Sequence, residues 1–103
     1  MPGYRLLRRA RGDLLEIASY TAERWDEQQA ERYVTGLFSA FQRLVDLPEL
    51  RRPYRDIPTY WRALVGSHAF FYRIAQDGEL LIVRVLHARM LPELHLGDEQ
   101  DDG

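Results

Sequence analysis

Apolar side chains recur at helical spacing along two adjacent segments in the first half of the chain. Within residues 8–25 they fall three or four positions apart, which predicts an amphipathic helix. A second stripe starts after Asp26, which predicts a second helix with Asp26 as its N-cap and Gln29 completing a capping box. The two stripes consist of Ala10, Leu14, Ile17, Ala18, Thr21 and Trp25, and of Ala30, Tyr33, Val34, Leu37, Phe38, Phe41, Leu44 and Val45. Their short link favours an antiparallel helical hairpin.

The second half of the chain changes to the alternating pattern of strands. Three prolines exclude regular structure from a connector over residues 46–59. Beyond it, alternating segments and two turn signals predict a three-stranded meander. Its strands and turns are residues 60–65, Gly66-Ser67, residues 68–76, Asp77-Gly78 and residues 79–86. With an edge strand at residues 4–7, the predicted fold is α+β: an N-terminal strand and a helical hairpin packed on one face of a three- to four-stranded antiparallel sheet.

Two-residue turns fix a register for this meander. They place Phe71 opposite both Arg62 and Arg84, and Tyr72 opposite Val83. Alternation then predicts a nearly all-apolar face towards the helices, made of Trp61, Ala63, Val65, Phe70, Tyr72, Ile74, Leu81, Val83 and Val85. The opposite face, called the second face below, is predicted to carry Tyr60, Arg62, Leu64, Ala69, Phe71, Arg73, Leu80, Ile82, Arg84 and Leu86.

The second face combines three arginines with exposed apolar side chains and has no acidic residue. An apolar patch of this size is more than a lone domain should expose, so we favour burial by a partner over a plain solvated surface.

The same register places His68 and His87 opposite each other, on the helix side and near one end of the sheet. Such a pair is either an acid–base pair or, as we favour, two hydrogen-bonded rings at the edge of the core.

The composition removes several kinds of chemistry. The chain has no cysteine, and its three histidines lack zinc-ligand spacing, so neither a metal nor another cofactor is predicted. All 14 basic residues are arginine, which leaves no lysine to act as a base or to form a Schiff base. The acidic end of the chain predicts a single domain over residues 1–96 and a disordered tail over residues 97–103. No apolar run approaches the roughly 20 residues of a membrane span, so the expected location is the cytoplasm.

An ordered set of residues over positions 4–96 resembles the ParE toxins of the RelE/ParE superfamily. The set comprises Tyr4-Arg5-Leu6, Ala10, Asp13-Leu14, Ile17, Tyr20, Trp25, Ala30-Glu31, Tyr33, Pro48-Glu49-Leu50, Arg52-Pro53, Tyr72-Arg73, Arg84-Val85-Leu86-His87 and Arg89. The family often places Ser and Pro at the start of its first helix. Here Leu7 and Arg8 stand in those positions, so we expect a poorly capped helix start.

The resemblance implies the toxin of a type II toxin–antitoxin system, neutralised by a ParD-type antitoxin. ParE toxins are associated with poisoning of DNA gyrase, whereas the related RelE toxins cut mRNA on the ribosome, and a shared fold does not decide between the two. Because RelE-type enzymes use lysines that this chain lacks, we favour a non-catalytic gyrase inhibitor, with the mRNA endonuclease as the alternative.

The sequence also suggests which side chains serve these roles. The predicted target-binding residues are Arg62, Arg73, Arg84, His87 and Arg89. The predicted antitoxin-binding residues are Leu15, Ala22, Leu64, Phe71, Ile82 and Leu86. Only in the nuclease alternative do Arg62, Arg84 and His87 become catalytic. Partners other than the antitoxin and gyrase are not expected, neither nucleic acid bound directly nor a membrane.

Overall fold

The computed structural model describes residues 3–96, in which two helices pack on a four-stranded sheet. The elements are β1 (Tyr4–Leu6), α1 (Arg8–Arg24), α2 (Glu27–Asp46), β2 (Trp61–Val65), β3 (His68–Ile74) and β4 (Leu80–His87), with short 3-10 helices at Pro48–Leu50 and Pro92–Leu94. The strand order is β1-β4-β3-β2, and β1 runs parallel to β4. The predicted α+β fold is confirmed, with a parallel edge strand as its one difference. The predicted tail lies outside the described residues.

The helices begin and pack as their apolar stripes predict. Asp26 caps α2, because its Oδ1 accepts a hydrogen bond from the Gln29 backbone N–H at 2.7 Å. The first core lies between the helices and the sheet and contains Ala10, Leu14, Ile17, Leu37, Phe41, Leu44, Phe70, Tyr72, Leu80, Ile82 and Val85. Trp25 was predicted to be buried but is 70% exposed, since it lies just beyond the end of α1. Neither helix has the length and apolarity that a bilayer span requires.

The start of α1 has no side-chain cap, as expected from its departure from the family pattern. Leu7 is the N-cap residue and makes no capping hydrogen bond. Its side chain is instead fully buried, and its backbone N–H donates to the Ile82 carbonyl at 2.9 Å. Burial and a bond to β4 therefore hold this helix end where a serine hydroxyl would otherwise act.

Two one-residue shifts cancel within the β3–β4 hairpin. The Ala75 N–H donates to the Glu79 carbonyl at 2.8 Å, so the loop has three residues, 76–78, and not the two predicted. This longer loop places Tyr72 opposite Ile82 rather than Val83. A β-bulge then inserts Val83 as an extra residue and restores the predicted pairing of Phe71 with Arg84.

Between the two shifts, the side chains of β4 point to the opposite face of the sheet from the predicted one. Leu80 and Ile82 belong to the core beneath the helices, whereas Leu81 and Val83 point to the second face. The predicted sides of all four residues were therefore wrong. The reason is that a one-residue slip exchanges the two faces of a strand.

A second core covers much of the second face. The connector folds back across the sheet, with the Tyr54 N–H donating to the Tyr60 carbonyl at 2.8 Å and the Arg62 N–H to the Arg52 carbonyl at 3.1 Å. The cluster consists of Leu7, Tyr54, Tyr60, Ala69, Phe71, Leu81, Val83 and Leu86, with Ile57, Ala75 and Leu96 packed against it. The predicted absence of regular structure over residues 46–59 was wrong at Pro48–Leu50, where a proline at the first position suits a short 3-10 helix. Nor do the prolines prevent the connector from packing.

The two cores bury three residues that were predicted to be open for antitoxin binding. Phe71 and Leu86 are 1% and 2% exposed beneath the connector, and Ile82 is fully buried on the helix side. Of the apolar residues predicted to be open on the second face, Leu64 alone is exposed, at 66%. The turn between β2 and β3 begins at Gly66 with the positive φ that was predicted. This φ is +57°, and a Cβ added there would lie 2.8 Å from the Tyr33 hydroxyl.

Candidate functional site

The outer edge of β4 is completed by a carboxylate of α1. β1 pairs with β4 only as far as Ile82. Beyond that point, Asp13 Oδ2 accepts a hydrogen bond from the Val85 backbone N–H at 2.9 Å. The same carboxylate receives the Arg84 Nε at 2.8 Å and Nη2 at 2.9 Å, a bidentate pair whose side chains are each only 12% exposed.

Asp13 therefore fixes the Arg84 side chain in position. The prediction that the arginines of the second face have no acidic partner was wrong for Arg84. Its Nη1 also donates to the His95 carbonyl at 3.1 Å, and the hydrogen bonds that it donates to Asp13 raise the pKa of the guanidinium. Alternation along the sheet could not reveal this pair, because Asp13 belongs to a helix 71 residues earlier in the chain.

A groove of about 640 Å³ runs between α1 and the adjacent ends of β3 and β4. We call it the helix groove. Its apolar and aromatic lining comprises Ile17, Tyr20, Trp25, Tyr33, Val85, Leu86 and Met90. Its polar lining comprises Asp13, Glu16, Thr21, Arg24, Gln29, Ser67, His68, Arg84 and His87. Tyr20 and Trp25 are 62% and 70% exposed there, so large aromatic surface faces the solvent.

The histidine pair lies in this groove. His68 and His87 are cross-strand partners, as predicted, and their rings meet edge to face with centroids 5.5 Å apart. The Tyr33 hydroxyl lies 2.6 Å from His68 Nδ1, and the Arg89 backbone N–H donates to His87 Nδ1 at 3.2 Å. Both rings are thus hydrogen-bonded, as we favoured, but they border a groove rather than closing off the core.

A smaller pocket of about 100 Å³ opens on the second face. We call it the second-face pocket. Five residues predicted for target or antitoxin binding line it, namely Arg62, Leu64, Phe71, Leu86 and His87. The Arg62 guanidinium carbon lies 4.9 Å from the centroid of the Tyr54 ring, a cation–π contact that orients it at the rim.

Comparisons with known proteins show the family of this chain. The model of the family "ParE toxin of type II toxin-antitoxin system, parDE" matches residues 4–92. Toxin ParE1 of Caulobacter vibrioides is 38% identical over 98 residues, which cover 94% of this chain and 100% of that protein. Toxin ParE1 of Mycobacterium tuberculosis is 40% identical over 88 residues, covering 84% and 90%. The chain belongs to the ParE toxin family.

Solved structures show that the ParE fold is shared. A chain of the chromosomal ParDE toxin–antitoxin system from P. aeruginosa matches with a TM-score of 0.73 at 16% identity, covering 84% of this chain and 96% of that one. A chain of the RelBE2 toxin–antitoxin complex from Mycobacterium tuberculosis matches with a TM-score of 0.61 at 24% identity, covering 84% and 99%. The chain is thus a ParE-type toxin of a type II toxin–antitoxin system, as the sequence resemblance implied.

The remaining predicted site residues of this ParE-family chain lie apart from the second-face pocket. Arg89 is exposed just beyond β4, and Arg73 is half-buried on β3. On α1, Leu15 is 71% exposed and Ala22 is partly buried. Their roles in binding stay predictions.

Sequence reasoning missed four residues that shape the helix groove: Asp13, Tyr20, Trp25 and Tyr33. All four belong to the residues that resemble the family, and that membership was the one signal available for them. Within residues 3–96, no group of three or more histidine and acidic side chains could hold a metal ion.

Burial lowers the pKa of the His68 imidazole, His87 lowers it further, and Asp13 partly opposes them. As the pH falls through about 6.5, the unfolded chain therefore binds a proton that the folded chain resists. We expect the free energy of unfolding to decrease on acidification from about pH 7.5 to about pH 5.5. Chemical denaturation across this range measures the slope. His68→Gln should flatten it and the matched variant His95→Gln should not; equal slopes in all three proteins would contradict the assignment.

Proposed function

We propose that this toxin inhibits DNA gyrase by binding it, without a catalytic step of its own, and that a ParD-type antitoxin neutralises it. The proposal that the toxin has no catalytic step rests on the contacts of the Arg84 guanidinium. A metal-free nuclease must stabilise the charge that develops on a phosphate, and Arg84 is one of the three residues available for that chemistry. Its guanidinium is instead occupied by Asp13 and by the His95 carbonyl.

The surface around the second-face pocket is our candidate for contact with gyrase. Arg62, His87 and Arg89 are exposed, whereas Arg84 is held against α1 and Arg73 is half-buried. Arginine and histidine beside aromatic and aliphatic side chains form a contact surface that suits a protein target, because planar guanidinium groups bind carboxylates in a bidentate manner.

The exposed face of α1 is our candidate for antitoxin binding. Leu15, Ala18, Ala22 and Trp25 follow one another at helical spacing, and Leu15 and Trp25 are about 70% exposed. Trp25 of this stripe also lines the helix groove, whereas Leu15, Ala18 and Ala22 do not. An amphipathic antitoxin helix laid against such a groove is a common mode of recognition. That both solved relatives come from toxin–antitoxin systems supports a partner of this kind.

A supercoiling assay with purified gyrase tests the proposal. We expect loss of supercoiling or stabilised cleavage complexes, relieved by the antitoxin encoded next to the toxin gene. Replacing Arg62 and Arg89 by alanine should reduce inhibition roughly tenfold or more, as expected when central charged contacts are lost. Arg43→Ala is the matched control, since Arg43 is an exposed arginine of α2 that lines neither the helix groove nor the second-face pocket. Normal supercoiling at saturating toxin would contradict gyrase as the target.

The alternative is a ribosome-dependent mRNA endonuclease. It would use Arg62 and His87, which both line the second-face pocket, but it would have to work without Arg84. Such an enzyme cuts translated messages at defined codon positions. Primer extension on RNA from induced cells should reveal these cuts, and their absence would remove the alternative.

A further inference from the structure

The helix groove is chemically asymmetric. Ile17 and Tyr20 of α1, with Trp25 just beyond its end, give the groove apolar surface that suits the apolar side of a partner helix. The other lining residues of α1 are polar: Asp13, Glu16, Thr21 and Arg24. At the sheet end, the groove is lined by the imidazoles of His68 and His87. A partner segment that fills this groove therefore meets apolar surface along α1 and a pair of titratable rings at the sheet.

The hydrogen bonds of the two rings leave one nitrogen of each for a ligand. His87 Nδ1 accepts from the Arg89 backbone N–H, so Nε2 carries the proton of the neutral ring and is a donor. His68 Nδ1 is engaged by the Tyr33 hydroxyl at 2.6 Å, which leaves Nε2 as its remaining polar atom. His87 Nε2–H is thus a donor for an oxyanion, and His68 Nε2 is a second donor when that ring is protonated.

Within residues 3–96, no carboxylate is in hydrogen-bond or ring contact with the two histidines. α2 contributes Tyr33 and β4 contributes His87, neither of which is acidic. α1 contributes Asp13, whose oxygens already accept three hydrogen bonds from Arg84 and Val85. Glu16 is an exposed carboxylate that also lines the groove, and its charge contributes to the raised pKa of Arg84.

We infer that His68 and His87 bind a carboxylate side chain of the antitoxin, and that formation of the complex takes up a proton at this pair. This inference rests on the proposed antitoxin binding along α1. A negative charge beside the pair favours the imidazolium form, which burial and the neighbouring His87 disfavour at His68 when no partner is bound. Antitoxin binding should therefore strengthen as the pH falls through the range in which histidine titrates.

A peptide carboxylate fits the groove better than a nucleic-acid phosphate. The whole chain has a net charge of −2, and the groove itself contains two acidic side chains, Asp13 and Glu16. A polyanion would meet both, whereas a single carboxylate on an amphipathic segment can reach the histidines while apolar neighbours cover Trp25. The apolar walls likewise favour a protein partner over a sugar–phosphate chain.

Calorimetry of the full toxin with its antitoxin tests the inference. In buffers of different ionisation enthalpy at about pH 6.5, we expect an uptake of roughly one half to one proton per complex. The affinity should be roughly fivefold to tenfold higher at about pH 6 than at about pH 8, since a rise of one pKa unit in one ring gives at most tenfold.

Three variants assign the proton. His87→Gln changes an exposed side chain and so should fold normally, and it should remove at least half of the proton uptake. His68→Asn should also reduce the uptake, with thermal denaturation checking that the variant is folded. His95→Gln is the matched control, because His95 lines neither the helix groove nor the second-face pocket and should leave the uptake unchanged.

The outcomes separate this inference from the proposed function. A tight complex without proton uptake, or with uptake unaffected by His87→Gln and His68→Asn, overturns the inference and leaves antitoxin neutralisation intact. Failure of the antitoxin to bind or to relieve inhibition overturns both. A single-stranded oligonucleotide is the competing ligand. If its binding depends on His68 and His87 while antitoxin binding does not, the inference of a peptide carboxylate is wrong.

Discussion

Replacing Phe71 with alanine is expected to lower the free energy of unfolding of the free toxin by roughly 3–4 kcal/mol, because a buried phenylalanine leaves a cavity that its neighbours only partly fill. The ring is 1% exposed and packs edge to face against Tyr54, with centroids 5.3 Å apart. The sequence alone places this residue on an open face, where the same substitution would change stability little. Urea denaturation of the isolated toxin distinguishes the two situations.

Leu64→Ala is the matched control for Phe71→Ala. Leu64 lies on the neighbouring strand and lines the same second-face pocket, but it is 66% exposed. Its replacement should change the free energy of unfolding by no more than about 0.5 kcal/mol. A Phe71→Ala effect as small as that of Leu64→Ala would mean that the connector does not pack on the second face in solution.

Asp13→Ala is expected to lower the free energy of unfolding by about 3 kcal/mol, since removing one partner of a nearly buried ion pair leaves the other charge uncompensated. The substitution takes away both oxygens that hold the Arg84 guanidinium and leaves the Val85 N–H without its acceptor. Because these bonds complete the edge of β4, local opening should begin there. Hydrogen exchange of the Val85 amide measures this opening directly.

A double-mutant cycle separates the ion pair from the helix position. Arg84→Met and the double variant with Asp13→Ala should reveal a coupling free energy of about 1–3 kcal/mol, which residues in one hydrogen-bonded network typically show. Glu16→Ala, an exposed acid one turn further along α1, should have little effect on stability. Coupling near zero would contradict the role given to this pair in holding α1 against the sheet.

Local chemistry was sufficient to predict most of the secondary structure. The N-cap at Asp26 and the positive φ at Gly66 both follow from patterns a few residues long. The β3–β4 hairpin shows where prediction of the register from such patterns fails. A loop one residue longer than predicted and the bulge at Val83 compensate each other. The predicted register of β3 is therefore right from His68 to Phe71 and wrong from Tyr72 to Ile74.

The candidate site depended more on distant contacts. The sequence correctly brought together Arg62 and Phe71, because they are partners on neighbouring strands of one meander. It placed His87 on the helix side, whereas His87 also lines the second-face pocket. It could not predict that Arg84 is bound by a helix residue, nor that exposed aromatic rings of α1 and the histidine pair share one groove. Periodicity identifies which side of an element is apolar but not which partner covers that side.

By itself, the sequence determined the order of the elements, the helical hairpin, the family of the toxin and the absence of lysine and cysteine chemistry. These properties follow from short-range spacing and from residue identity. Tertiary structure alone decided that the connector buries the second face and that Asp13 holds Arg84. It also placed the histidine pair at the end of a groove. The physical reason is that such contacts join residues far apart in the chain, where burial and charge pairing, and not local periodicity, choose the partner.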